Sequence, residues 1–349
     1  MKITSKKYPG PQGEITVYKL ENAKGAWVEL SSLGAGIRGV AVPDRDGRIE
    51  EVALAYADAA DYMADGPCLG KCPGRYANRI AKGHLVVDGK TYQLAINNGP
   101  NALHGGPTGF QNRIWDSKEI DNGVEFTYVS ADGEENYPGR LEVKATYTWS
   151  DEDVLTLRFE ARSEADTVVN LTNHAYWNLD GTDSGKIFDH EMKIKALKWL
   201  PTDDTQIPTG ELADVFGTPM DFREFKKIGR DINEGFEALK IGKGYDHCWV
   251  LDGWKPGSTV HEAVVLKGAK SGRVLTVCTD QPGVQVYTGN WFTGSSPVNK
   301  EGRPYEDNDG VAIECQGMPD APNKPAFPSQ ILGPGELYTQ FIIFRFKTA

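Results

Sequence analysis

No stretch of the chain approaches the ~18 consecutive apolar residues that a membrane-crossing helix needs, and the N-terminal MKITSKKYPGPQGEITVYKL carries early lysines but no apolar export core. The expectation is a soluble, cytoplasmic protein; a leader removed beforehand would leave the same sequence. Cysteine is scarce, with five residues scattered over 349, an odd number that argues for free thiols and against a disulfide framework. Cys68 and Cys72 form a lone C-x-x-x-C with neither a second pair nor a histidine cluster beside it, which is too little for a zinc site. Basic blocks are also missing, so the net charge of −11 is not offset locally, and the field it sets up disfavours nucleic acid and anionic membrane as partners. There is no H-E-x-x-H, no G-x-S-x-G and no P-loop, and HGGPTGF lacks the strand-to-helix setting of a nucleotide-binding loop. No linker or fixed-period repeat interrupts the even spread of 39 Gly and 20 Pro, so residues 1–349 are expected to form one domain.

What is present is period-2 alternation. In LEVKATYTWS (141–150) Leu, Val, Ala, Tyr and Trp take one face, and VLTLRFEAR (154–162) repeats the pattern after the turn-like SDED, which makes a hairpin. Asp88-Gly89 between HLVV and KTYQL is a two-residue hairpin signal, since both residues tolerate the positive φ of a type I′ turn. Further strands are expected in 272–280, 284–292, 310–315 and the closing LYTQFIIFRFK. Helix is expected only in short pieces, within EVALAYADAADYMA (51–64) and EFKKIGRDINEGFEALK (224–240). The fold class is therefore all-β, a large antiparallel β-sandwich.

Six polar clusters break the strand pattern and are candidate walls of one pocket: GRYANRIAKG, NNGPNALHGG, NLTNHAYWNLDG, GYDHCWVLDG, QPGVQVYTGN and IECQGMPDAPNKPAFP. In the third, His174 stands among asparagines and before Tyr176 and Trp177, one of only six histidines in the chain. It reads equally as a core imidazole satisfied by amides and as a proton donor framed by them; alternation allows at most one of the two aromatics to share its face. His104 precedes two glycines that permit a positive-φ bend, with Asn101 or a peptide group available to set its tautomer. Arg79 is either a surface strand residue or a fixed cation for ligand oxygens, and Asp246 either caps a turn or accepts from a polyol. Glu314 follows Val311-Ala312-Ile313; if it faces inward, desolvation raises its pKa toward general-base range, and if it alternates outward it is merely wet.

Together these segments resemble the aldose 1-epimerase family, also called galactose mutarotases. The match runs from about Gly74 to the last strand through LHGG, NLTNHAYWNL, GYDHCW, TDQPGVQVYTGN and E-x-Q-x-x-PDAPN-x-P-x-FP, with ITVYKLENAKGAWVELSSLGAGIRGVAVPDRDG resembling the family's opening strands. The resemblance implies a supersandwich of the galactose mutarotase type and the exchange of α and β anomers of free aldohexoses such as D-galactose and D-glucose. It implies His174 as the acid that protonates the ring oxygen and Glu314 as the base that takes the anomeric proton, on opposite sides of the hemiacetal. Asn78, Arg79, His104, Asp246 and Gln285 match positions that hold the sugar. No metal or redox cofactor is implied. Met318 stands where many relatives carry an aromatic, which bears on the pocket rim, and Cys315 is expected to pack.

Two alternatives remain at this level: a sugar-binding module without turnover, against which the presence of both His174 and Glu314 argues, and an enzyme of sugar phosphates, which would call for cations beyond the Arg75, Arg79 and Lys82 neighbourhood. The choice between monomer and homodimer is left open.

Overall fold

The computed structural model describes residues 1–63 and 65–349. Alternating residues produce strands at the expected places, although the one expected over 284–292 ends at Tyr287. Leu141–Trp149 and Val154–Ser163 pair as a hairpin with Trp149 opposite Leu155, each burying every second side chain. His84–Val87 and Lys90–Gln93 close through Asp88 and Gly89, both at positive φ (49° and 70°). Helix is confined to short pieces: the 3-10 turns Ala59–Met63 and Ile228–Arg230 lie inside the two stretches expected to hold it, the α-helix Glu237–Gly242 starts in the second and runs past its end, and further 3-10 turns such as Phe110–Asn112 and Ala321–Asn323 lie outside both. Ala64, the last residue of the first stretch, lies outside the described residues. Among the described residues no helix is long and apolar enough to cross a membrane.

Three antiparallel sheets make the body. The first is a five-stranded meander over Lys2–Glu51. The second has nine strands and includes both hairpin strands, Tyr338–Thr348 and Arg273–Thr279. The third has six, in the order Tyr176–Trp177, Val311–Gln316, Gly283–Tyr287, Asp246–Val250, Lys198–Trp199, Ala213–Asp214. One contiguous hydrophobic cluster joins side chains of all three, from Tyr18 to Phe346.

The six-stranded sheet positions the candidate site. Residues directly opposite in an antiparallel pair share a face, and neighbours along a strand do not. Trp177, Val284, Val286, Trp249, Ile313 and Cys315 turn into the main core, where Trp177 packs on Phe344 and Phe346. The alternate residues Tyr176, Ala312, Tyr287 and Asp246 lie opposite one another on the other face. Gln285 and Glu314, themselves paired, continue that face by one step.

Candidate active site

The polar face of that sheet floors a cavity of about 400 Å³. His174, Tyr176, Asp246, Tyr287 and Glu314 come from the sheet side, and Cys68, Asn78, Arg79, Asn98, His104, Gln206 and Trp291 come from loops over it. The volume falls within the ~300–1,000 Å³ usual for small-molecule sites.

His174 Nε2 lies 3.5 Å from Glu314 Oε1, and both side chains are almost wholly buried, at 5% and 2% exposure. Glu314 therefore faces inward, in a strand whose residues are all buried. Burial disfavours charge on each. It lowers the His174 imidazole to about 4 and raises the Glu314 carboxyl well above the usual range, Asp246 adding to the rise and Arg79 opposing it. The two groups converge on the cavity floor.

The frame around His174 is different from the one expected. Its backbone is tied by N–H to Lys71 O and by its own carbonyl to Gly70 N–H, each at 2.9 Å. Its ring packs against Tyr176 at 4.9 Å between centroids and meets His104 edge-on at 5.4 Å. The neighbouring asparagines bond elsewhere: Asn170 to Ala77 O and Gly317 N–H, Asn173 to Gly70 O, and Asn178 to Gly185 O and Asp309 O. They shape the loop, and aromatic packing orients the ring. Tyr176 is the aromatic that shares the face of His174, and its hydroxyl donates to Pro67 O in the cavity wall.

His104 sits at φ 51°, followed by Gly105 and Gly106 at 78° and 100°. A side chain at Gly105 would collide with the Gly74 carbonyl, so this bend needs glycine. The Asn78 backbone N–H donates to His104 Nδ1 at 3.1 Å, while the His104 N–H donates back to Asn78 O. That fixes the remaining ring proton on Nε2, and burial holds the imidazole pKa well below its usual value, so His104 is a neutral N–H donor. Asn101, a candidate for setting this tautomer, instead accepts from Lys82 N–H and donates to Thr205 O.

Arg79 donates through Nε to Asn98 Oδ1 at 3.0 Å and through Nη2 to Gln206 Oε1 at 2.5 Å. Asp246 accepts from Gln206 Nε2 and Gln285 Nε2, each at 2.7 Å. Gln285 is not among the cavity's lining residues: it stands behind Asp246 and orients it, where direct sugar contact had been expected. Met318 is likewise displaced from its expected place on the rim, packing with Leu200, Cys248, Ala321 and Phe327. Cys315 packs in the main core. Of the basic neighbourhood only Arg79 reaches the cavity, since Arg75 is buried against Pro138 O, Gly139 O, Thr167 and Ser130.

Several lining residues lay outside the sequence reading, among them Asn98, Tyr287, Trp291 and Gln206. Asn98 and Tyr287 belong to quoted clusters, and Tyr287 shares the parity of Gln285, a usable signal. Trp291, half exposed with Lys243 Nζ 3.6 Å from its ring centroid, and Gln206, in a short acidic loop, carried no local signal. His104, His174 and Glu314 also bring donor atoms within 4.8 Å of one another, a set of the type that holds zinc.

The family profile described as Aldose 1-epimerase matches residues 16–345. A galactose mutarotase of Sus scrofa is 43% identical over 341 residues, spanning 98% of this chain and 96% of that protein. Among solved structures, an aldose epimerase homologue from C. elegans superposes with a TM-score of 0.87 at 30% identity, covering 99% of this chain and 100% of that one. A galactose 1-epimerase from Lactobacillus acidophilus superposes at 0.86 and 29%, covering 100% and 99%.

Proposed function

The chain belongs to the aldose 1-epimerase family and interconverts the α and β anomers of free aldoses, and we propose that hexoses such as D-galactose and D-glucose are its substrates and that His174 and Glu314 move the protons. The observation that carries the proton assignment is the 3.5 Å approach of His174 Nε2 to Glu314 Oε1 on the floor of the cavity. A ring oxygen and an anomeric hydroxyl are bonded to the same carbon. An acid and a base that converge suit that pair of oxygens.

In ring opening, protonated His174 gives its proton to the ring oxygen while Glu314 takes the proton of the anomeric hydroxyl. The bond from the anomeric carbon to the ring oxygen breaks and the aldehyde C=O forms, leaving His174 neutral and Glu314 protonated. Rotation about C1–C2 presents the other carbonyl face, and the reverse transfers close the ring. Burial disfavours charge on both groups, so a transfer that leaves His174 neutral and Glu314 protonated discharges the pair. Neutral His104 donates to a sugar oxygen, and Arg79, Asn78 and Asp246 bind hydroxyls, with Gln285 holding Asp246. Among the described lining residues Arg79 is the one Lys or Arg, which favours neutral sugars over sugar phosphates.

Five free, buried cysteines support a reducing, cytoplasmic setting. The test of the function is polarimetry on freshly dissolved α-D-galactose and α-D-glucose. Decay to the equilibrium rotation faster than the spontaneous rate is expected, and no acceleration with any of several aldoses would overturn the reading.

A further inference from the structure

Arg79 and Asp246 are opposite charges in one cavity wall, yet their closest atoms, Arg79 Nη2 and Asp246 Oδ2, are 3.8 Å apart, too far for a hydrogen bond. The Gln206 side chain spans the gap. Its amide orientation is forced by chemistry: guanidinium only donates and carboxylate only accepts, so Oε1 must face Arg79 and Nε2 must face Asp246. The bridge is built from a loop that holds Gln206 at φ 64°, uncommon for a residue that is not glycine. Asp203 Oδ1 accepts from Thr205 N–H, the Thr205 hydroxyl and Ile207 N–H, and Asn101 ties Thr205 O to the segment that carries Asn98 and His104.

We propose that Gln206 is a positioning residue for sugar binding, whose amide holds Arg79 and Asp246 at the separation and orientation that receive the sugar hydroxyls. The inference rests on the sugar-binding role of those two residues and adds to it a part the chemistry does not use. One oxygen of Asp246 is held by Gln285 from the sheet and the other by Gln206 from the loop, so the carboxylate keeps one rotamer and its charge stays short of collapse onto Arg79. Gln206 also lines the cavity, so its amide stands beside the pair it holds where the sugar binds.

The test uses Gln206→Ala and Gln206→Glu, with D-galactose binding measured by calorimetry and anomer exchange by polarimetry. Loss of a hydrogen bond to each of two charged groups is expected to weaken Kd and KM about tenfold in Gln206→Ala while kcat stays within about twofold. Gln206→Glu keeps the acceptor toward Arg79 but sets a second carboxylate against Asp246. The charged and titratable groups facing Asp246 are Arg79, His174, His247, Tyr287 and Glu314. At acid pH one shared proton restores the contact, so KM of this variant rises between about pH 5 and pH 8, where that of the unaltered protein does not. A purely structural loop residue would not produce that dependence. Unchanged Kd and KM in both variants, or a fall in kcat at constant KM, would overturn the inference. Calorimetry needs no turnover, so a protein that binds galactose without exchanging its anomers would sink the activity and still decide the role of Gln206; no binding at all overturns both.

Discussion

His174 and Glu314 oppose each other across an antiparallel register that the hydrogen-bonded strands themselves begin two residues away. Tyr176 pairs with Ala312, and stepping back two residues on one strand and forward two on the other brings His174 Nε2 to 3.5 Å from Glu314 Oε1. Glu314 stands within its strand, and His174 stands in the loop that enters the neighbouring strand at Tyr176, held there by Gly70 and Lys71. Because Glu314 also pairs with Gln285, the base is held in the middle of a sheet and has little freedom to wander.

Substitutions at the two groups should separate chemistry from binding. His174→Asn and Glu314→Gln are each expected to lose about 10²–10⁴ in kcat, the usual span of one general acid or base. Asp246→Ala should act mainly on KM, while His261→Gln, at a strand residue away from the cavity, should leave both constants unchanged. Steady-state polarimetry on all four variants reads this split. A loss at His261 matching that at His174 would contradict the assignment.

The pH profile follows from the same pair. In either resting or ring-open form the pair holds one proton. Burial lowers His174 to about 4, so a second proton is added only near that pH; burial raises Glu314, so the shared proton is lost only well above the ordinary carboxylate range. The acid limb of kcat/KM should therefore be centred near pH 4, whereas a free imidazole would put it near about 6.5. Rates measured across that interval decide between them.

Stability in acid should report the buried histidines. His174, His190 and His247 are lowered to about 4 by burial, while the unfolded chain takes up these protons at about 6.5. The unfolded state then binds more protons, and stability falls as pH drops from about 6.5 to about 4. Glu314 works with the opposite sign, its contribution being full at low pH and lost as pH rises through its raised value. His190 lies outside the cavity and accepts from Leu179 N–H, which a glutamine oxygen can also do. His190→Gln should remove about 2 kcal/mol of the fall in unfolding free energy between pH 7 and pH 5, read by urea titration at both. An unchanged fall would contradict a neutral His190.

Tyr176 and Trp177 are neighbours in sequence with different consequences. Trp177 is wholly buried in the core, and Trp177→Ala should cost about 3–5 kcal/mol of stability. Tyr176 packs on His174 and lines the cavity, so Tyr176→Leu should lower kcat/KM more than it lowers the melting temperature. Melting curves and kinetics on the two variants check the contrast.

The parts of this site that could be read from the sequence are those governed by alternation. Period 2 allowed at most one of Tyr176 and Trp177 on the face of His174, which the structure fills with Tyr176, and an acidic residue inside an apolar strand marked Glu314. What alternation cannot express is which loop arrives over a sheet. Gln206 reaches Asp246 across forty residues of chain through a bend set by Asp203, and no local pattern in TDDTQIP announces it. Depth is equally hidden. Gln285 shares the face of Glu314 but ends against Asp246, and Met318, close in sequence to Glu314, is carried into a separate apolar cluster once the strand ends at Gln316. The asparagines around His174 were misleading for a physical reason: a loop packed between sheets must satisfy its own peptide groups, and their amides are used for that.

The central claim is that His174 and Glu314 act as one proton-transfer pair in anomer exchange. It is tested most directly by polarimetric mutarotation of fresh α-D-galactose with the unaltered protein, His174→Asn, Glu314→Gln and the double variant, each first shown to keep its fold by melting. Acceleration by the unaltered protein, near-complete loss in each single variant and little further loss in the double variant are predicted. Single variants that retain most of the rate, or losses that simply multiply in the double variant, would contradict it.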